Sequence, residues 1–192
     1  MGALPKIAAV AVSGAAAGAG GYVGLVTGAV PVDLGIGRRL RPLGPLTVEI
    51  DAPVELVFDV IAEPYAARTS RAMQEKVQVL ESGQDLVLAA HYTPIRGRLK
   101  ATTVETVRFD RPHQIGFRLV RGPVPFVVET FTLEQLAERT RLTYTGQLGT
   151  DLWSLGERWG SIVAPKWEAT VAAALEAATT EAERRHAARH RT

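Results

Sequence analysis

The chain is 192 residues long, enough for one domain of ordinary size and some extra length. Its 22 basic and 20 acidic side chains leave a formal net charge of +2, too balanced for the dense basic face of a nucleic-acid binder. Cysteine is missing altogether, which excludes disulfide scaffolds, iron–sulfur clusters and thiolate zinc sites.

Residues 1–30 read as a membrane-anchor segment. The stretch from Ile7 to Val30 carries no charge, and as a helix it would span roughly 36 Å against about 30 Å of hydrocarbon core. Ala and Gly dominate it, so insertion rests on Ile7, Leu25 and five valines. A cleaved signal peptide is the alternative, with Lys6 as its only side-chain charge. Lys6 precedes the span while Arg38, Arg39 and Arg41 follow it, which favours a single pass with the soluble domain on the cytoplasmic side. Gly20, Gly24 and Gly28 recur every fourth residue and would line one helix face, a spacing that permits a homodimer in the membrane. Residues 31–45, rich in Pro, Gly and Arg, read as a linker whose arginines would lie near anionic head groups.

The periodic sequence begins after the linker. Residues 47–51 alternate as a half-buried strand, and Pro53 then opens a short helix with Val54, Val57, Phe58 and Ile61 on one face. Pro64 stops that helix, and a poorer helical stretch, "YAARTSRAM", follows. From Lys76 to about Thr150 six strand-like runs are separated by short turns, the pattern of an antiparallel meander. After Asp151 the period becomes helical: Leu152, Leu155, Trp159, Ile162 and Val163 form one stripe, continued by Trp167, Val171 and Leu175. Pro165 predicts a kink or break near Ala164, and residues 181–192 read as a basic tail that frays. A curved seven-stranded sheet and a long helix, each with one apolar face, bury both by packing together, with a concave apolar space between them.

The "V-x-I-x-A-P-x-x-x-V-F-D-V-I" opening, the "F-x-L" at 131–133, "T-R-L-T-Y" at 140–144 and the long closing helix resemble the START-like (SRPBCC) polyketide cyclase/dehydrase superfamily over residues 46–180. The resemblance implies an α+β helix-grip fold and a hydrophobic small-molecule ligand, lipid or polyketide-like, held between sheet and helix. It implies no cofactor. Related domains often carry an aromatic residue, commonly Trp, after the first helix; here that segment holds only Tyr65.

Strand alternation selects the candidate site. Glu105 shares the parity of Leu99, Ala101, Thr103, Val107 and Phe109; Glu129 shares that of Val127, Phe131 and Leu133; Tyr144 shares that of Leu142. If those sets face the helix, Glu105, Glu129 and Tyr144 become catalytic candidates, because a desolvated carboxyl has a raised pKa suited to acid–base work. Otherwise they lie in water or pair with an arginine such as Arg118 or Arg121. Phe58, His91, Tyr92, Phe117, Phe131, Trp159 and Val163 complete the expected ligand lining. His186 and His190 have the spacing of a metal pair but no third ligand nearby in sequence, so no metal site is assigned. Three readings stay open: a membrane-tethered binder of a hydrophobic molecule, a cyclase/dehydratase-type enzyme using the cavity carboxyls, and a membrane-dimerising interaction module.

Overall fold

The computed structural model describes residues 20–30, 33–66, 75–96 and 99–190. Its elements are β1 (Arg39–Ile50), α1 (Val54–Ala62), a 3-10 turn (Glu63–Tyr65), β2 (Val77–Ser82), β3 (Leu86–Arg96), β4 (Leu99–Asp110), β5 (Gln114–Arg121), β6 (Phe126–Leu136), β7 (Arg139–Thr150) and α2 (Trp153–Arg189). All seven strands form one antiparallel sheet in the order β1-β7-β6-β5-β4-β3-β2. The expected meander is therefore present, and β1 joins it beside the last strand. Long helix α2 packs on β1, β7 and α1, while α1 rests on β6 and β7. The first turn of α1 is tied to the sheet, because the Gln135 side chain accepts the Val54 N–H at 2.8 Å. Beside it the buried Thr140 hydroxyl donates to the Ala52 carbonyl at 2.7 Å. A Thr140→Val change orphans that carbonyl and lowers stability by about 1–2 kcal/mol, measurable by urea denaturation.

Three expectations are corrected. β1 begins at Arg39, inside the expected linker: as an edge strand it tolerates Pro42 and Pro45, and a register shift between Leu43 and Leu46 absorbs the non-donating proline. Gly44 makes that shift possible, with φ +74° and its N–H donated to Glu168 Oε1 at 2.9 Å. Helix α2 runs unbroken through Pro165 to Arg189, so residues 181–189 are not a separate tail; the proline is on the exposed side, where the carbonyl it strands can reach water. Ala182 is fully buried, and Arg185 bridges to Glu63 at 2.5 Å. The buried stripe of α2 is Gly156, Gly160, Val163, Ala164, Leu175 and Ala182, whereas Trp153, Leu155 and Ile162 are exposed. Small residues bring the helix close to β7; a Cβ on Gly160 would sit 3.3 Å from the Thr150 side chain.

The N-terminal span falls only partly within the described residues. Among the described residues no helix is long and apolar enough to cross a membrane. Residues 7–19 of that span, and most of the expected helix at 65–73, lie outside the described residues. Residues 20–26 are helical and end in a turn at 27–30 that is hydrogen-bonded to the sheet. There Thr27 O accepts from Thr102 N at 3.0 Å, and Arg121 donates to the carbonyls of Gly28 and Ala29. Gly28 is buried at φ +70°, and a Cβ there would lie 2.5 Å from Thr102 O. Its small size thus serves contact with its own sheet.

The rest of the linker is clamped too. The buried Asp151 carboxylate accepts the N–H groups of Leu34 (2.7 Å) and Gly35 (2.8 Å) and pairs with Arg38 at 2.7 Å, while Leu152 and Trp153 donate to the carbonyls of Ile36 and Gly37.

Candidate functional site

Pleating sends alternate residues to the concave face. The register aligns Ala89 with Glu105, Phe117 with Glu129, Glu129 with Gly146, and Phe131 with Tyr144, so both carboxyls and the phenol point inward. The irregularity between Val104 and Glu105 affects only the pairing with β5 and leaves Glu105 in register with β3. Glu105 is 4% exposed, Glu129 6% and Tyr144 not at all. Neither arginine neutralises them: Arg121 is taken up by the 27–30 turn, and Arg118 lies outward on β5 with its backbone carbonyl near Thr106.

Glu129 is held through one oxygen. Its Oε1 accepts both the Tyr144 hydroxyl at 2.5 Å and the Trp167 indole N–H at 2.6 Å. Opposite it Gly146 has no side chain, and a Cβ there would come within 3.2 Å of Glu129 Cγ and 3.3 Å of the Tyr144 hydroxyl. No described group donates to Glu129 Oε2, and among the described residues no fully buried side-chain oxygen lacks a partner, so Oε2 opens on accessible space. With two donors occupying Oε1, a proton on this carboxyl resides on Oε2.

Burial lifts the Glu129 carboxyl to about 7, opposed by the Tyr144 and Trp167 hydrogen bonds and reinforced by Glu105. Burial likewise lifts Glu105 to about 7, opposed by the Thr103 hydroxyl. His91 Nδ1 lies 3.6 Å from Glu105 Oε2, but desolvation depresses its pKa to about 4, so His91 is already neutral in the range where Glu105 titrates. Tyr65 stands 3.4 Å from His91 Nε2, and burial raises its phenol well above the usual range. An aromatic wall runs from Tyr65 to Phe117 (6.1 Å), Phe131 (5.4 Å) and Tyr144 (5.3 Å). The inward side chains Phe109, Phe131, Thr103 and His91, together with Trp167, are only half-buried, so packing does not seal this part of the concave face.

The expected residues divide accordingly. His91, Glu105, Phe117, Glu129, Phe131 and Tyr144 come together on this face. Phe58 packs edge-on against Phe109 under Arg111, and Val163 is in the helix–sheet core. Trp159 donates to the Pro123 carbonyl at 2.8 Å, away from the carboxyls. Tyr92 points the other way, its hydroxyl donating to Gln78 at 2.9 Å. Sequence reading passed over Tyr65 and Thr103 as lining and treated Trp167 only as helix packing. The parity of Thr103 with Glu105 was the available signal; the reach of Trp167 across to β6 had none. Two further hollows, about 440 Å³ between Arg39–Arg41 and Ser154–Ser161 and about 380 Å³ between Leu46–Glu49 and Ala172–Thr180, lie on the outer β1–α2 seam, and neither is lined by the carboxyls.

A curved antiparallel sheet gripping a C-terminal helix over a half-open, carboxyl-bearing concavity defines the START-like helix-grip class. Within it the chain belongs to the family of polyketide cyclase/dehydrase and lipid transport domains, whose model matches residues 46–183. Among solved structures it is similar to the Zhui aromatase/cyclase from Streptomyces sp. R1128, at 26% identity and TM-score 0.58, covering 77% of this chain and 95% of that one. It shares its fold with norcoclaurine synthase from Thalictrum flavum (13% identity, TM-score 0.57, 76% and 87% covered). The same holds for a START superfamily protein from Mycobacterium smegmatis (16%, 0.53, 74% and 97%). No curated protein matches the chain.

Proposed function

We propose that this domain binds a hydrophobic small molecule, lipid or polyketide-like, against the concave sheet face, and that the charge-free N-terminal segment tethers it to a membrane with the domain on the cytoplasmic side. The observation that carries the reading is Glu129, a buried carboxyl with hydrogen-bond donors on Oε1 alone, set in an aromatic wall. Apolar surroundings supply affinity, and a few placed polar groups orient a ligand carbonyl or hydroxyl. Membership of the family supports the ligand class.

Native mass spectrometry of the purified chain, with organic extraction, tests this. The unmodified chain is expected to carry an apolar molecule that Gly146→Trp, intruding on Glu129 and Tyr144, excludes. Thr103→Trp fills the same space from β4 without touching the partners of Glu129, and it is expected to exclude the ligand as well. An empty unmodified chain that no lipid panel loads would overturn the reading.

One observation favours a second reading. Two carboxyls with pKa values near 7 can each give or take a proton at neutral pH, as a cyclase/dehydratase acting on an enolisable ketone requires. The similar Streptomyces protein is an aromatase/cyclase. Turnover of such a ketone, lost in Glu129→Gln with the ligand still bound, would decide for this reading. The interaction-module reading draws on Gly20, Gly24 and Gly28, of which only Gly20 faces open space; a Cβ on Gly24 would meet Val30.

A further inference from the structure

The outer row of α2 is unlike the rest of the helix. Leu155 (63% exposed) and Ile162 (50%) are three or four residues from Arg158 and Trp159, and Lys166 follows one turn on. That exposed row is apolar and cationic and contains no acid. Beside it the 440 Å³ groove brings Arg39, Leu40 and Arg41 from β1 against Arg158. Glu157 is the acid lining that groove, 3.9 Å from Arg39, and Arg41 reaches the Gly160 carbonyl at 3.3 Å. The Arg158 guanidinium has no hydrogen-bond or ionic partner among the described residues, its backbone carbonyl alone accepting from the Ser161 hydroxyl. The described part of the N-terminal segment reaches the same face: Tyr22 meets the Trp159 ring edge-on at 6.2 Å.

We propose that this face, the first half of α2 with the start of β1, docks on an anionic lipid surface. Leu155, Ile162 and Leu40 enter the interfacial region, and Arg39, Arg158 and Lys166 meet lipid phosphates. Two features select lipid over a second copy or an acidic protein. The mixture of exposed aliphatic and cationic side chains suits a surface that is apolar beneath a layer of negative charge. Tyr22, in the described part of the N-terminal segment, also meets this face at Trp159, and the proposal sets tether and docking face on one side of the domain. The inference rests on the tethered reading and adds to it an orientation and a lipid preference.

Because the chain lacks cysteine, the test uses single labels. The full chain carrying Leu155→Cys or, as a distant control, Ser82→Cys is labelled with a polarity-sensitive fluorophore. Each is mixed with vesicles of phosphatidylcholine alone or with added phosphatidylglycerol. The label at 155 is expected to brighten several-fold on the anionic vesicles and to be quenched by brominated acyl chains, while the label at 82 does neither. Arg39→Glu with Arg158→Glu is expected to weaken the response at 155 by about tenfold. If the chain floats with the vesicles but the label at 155 reports water, the docking face is wrong and the tether stands. If it floats with neither composition, both fail. Brightening without vesicles that rises with protein concentration would identify a second copy as the occupant and overturn the proposal.

Discussion

Replacing Asp151 with asparagine is expected to lower the stability of the domain by about 2–3 kcal/mol, because it leaves the half-buried Arg38 with only the exposed Asp33 as partner and removes an acceptor from a buried site. The Asp151 side chain is 1% exposed and receives two backbone N–H groups as well as the guanidinium. An asparagine offers one acceptor oxygen where the site uses two. A urea unfolding midpoint read from the chain and the variant checks this. The pH dependence has a definite sign: hydrogen bonding to Arg38 holds the Asp151 carboxyl below its usual value of 3.8. Its contribution is present above that value and disappears as the pH falls through the depressed folded pKa. The acid limb of the stability curve should therefore be shallower in Asp151→Asn, with the share due to His91 remaining. A variant within about 1 kcal/mol of the parent would show that the clamp is peripheral.

The second large effect has the opposite sign. Glu105 and Glu129 have folded pKa values raised from 4.5 to about 7, so the folded state holds their protons more tightly than the unfolded chain does. Their contribution to stability is complete below about 4.5 and is lost as the pH rises through about 7, at about 3 kcal/mol for each carboxyl as an upper bound. Glu105→Gln keeps the shape and removes the titration. It is expected to match the parent at pH 5 and to exceed it in melting temperature at pH 8. His91 works against this trend at lower pH: its pKa, depressed from 6.5 to about 4, means stability is lost as acid charges it. A Glu105→Gln variant equally shifted at both pH values would mean that the carboxyl is already ionised in the folded chain.

Most of the architecture was legible because strand alternation and turn residues are local signals. The six meander strands fall where the apolar runs are broken by Gly, Pro and charged turns, and the inward parity of Glu105, Glu129 and Tyr144 follows from the same alternation. What could not be read depended on partners distant in sequence. "RLRPLG" becomes strand because β7 lies alongside to pair with it and Gly44 relieves the register. Leu155 and Ile162 fit a helical stripe, yet the sheet accepts Gly156 and Gly160 instead, since the close approach of α2 to β7 is set by small residues. Helix continuity through Pro165 depends on which side faces water. In the site, the tie from Trp167 to Glu129 crosses from helix to sheet and leaves no local pattern.

The pairing of β1 with β7 has a consequence for how the chain acquires its structure. Val48 finds its hydrogen-bonding neighbour at Leu142, so the first strand made is the last to be zipped in. Until then its edge is bare and the entropy of closing a long loop is unrecovered, which places this topology among slow-folding ones. During synthesis the β2–β7 meander can assemble in order of emergence. The segment on the N-terminal side of β1 is bound only at the end of that process, when β7 has left the ribosome and the corner at Asp151 exists to receive it.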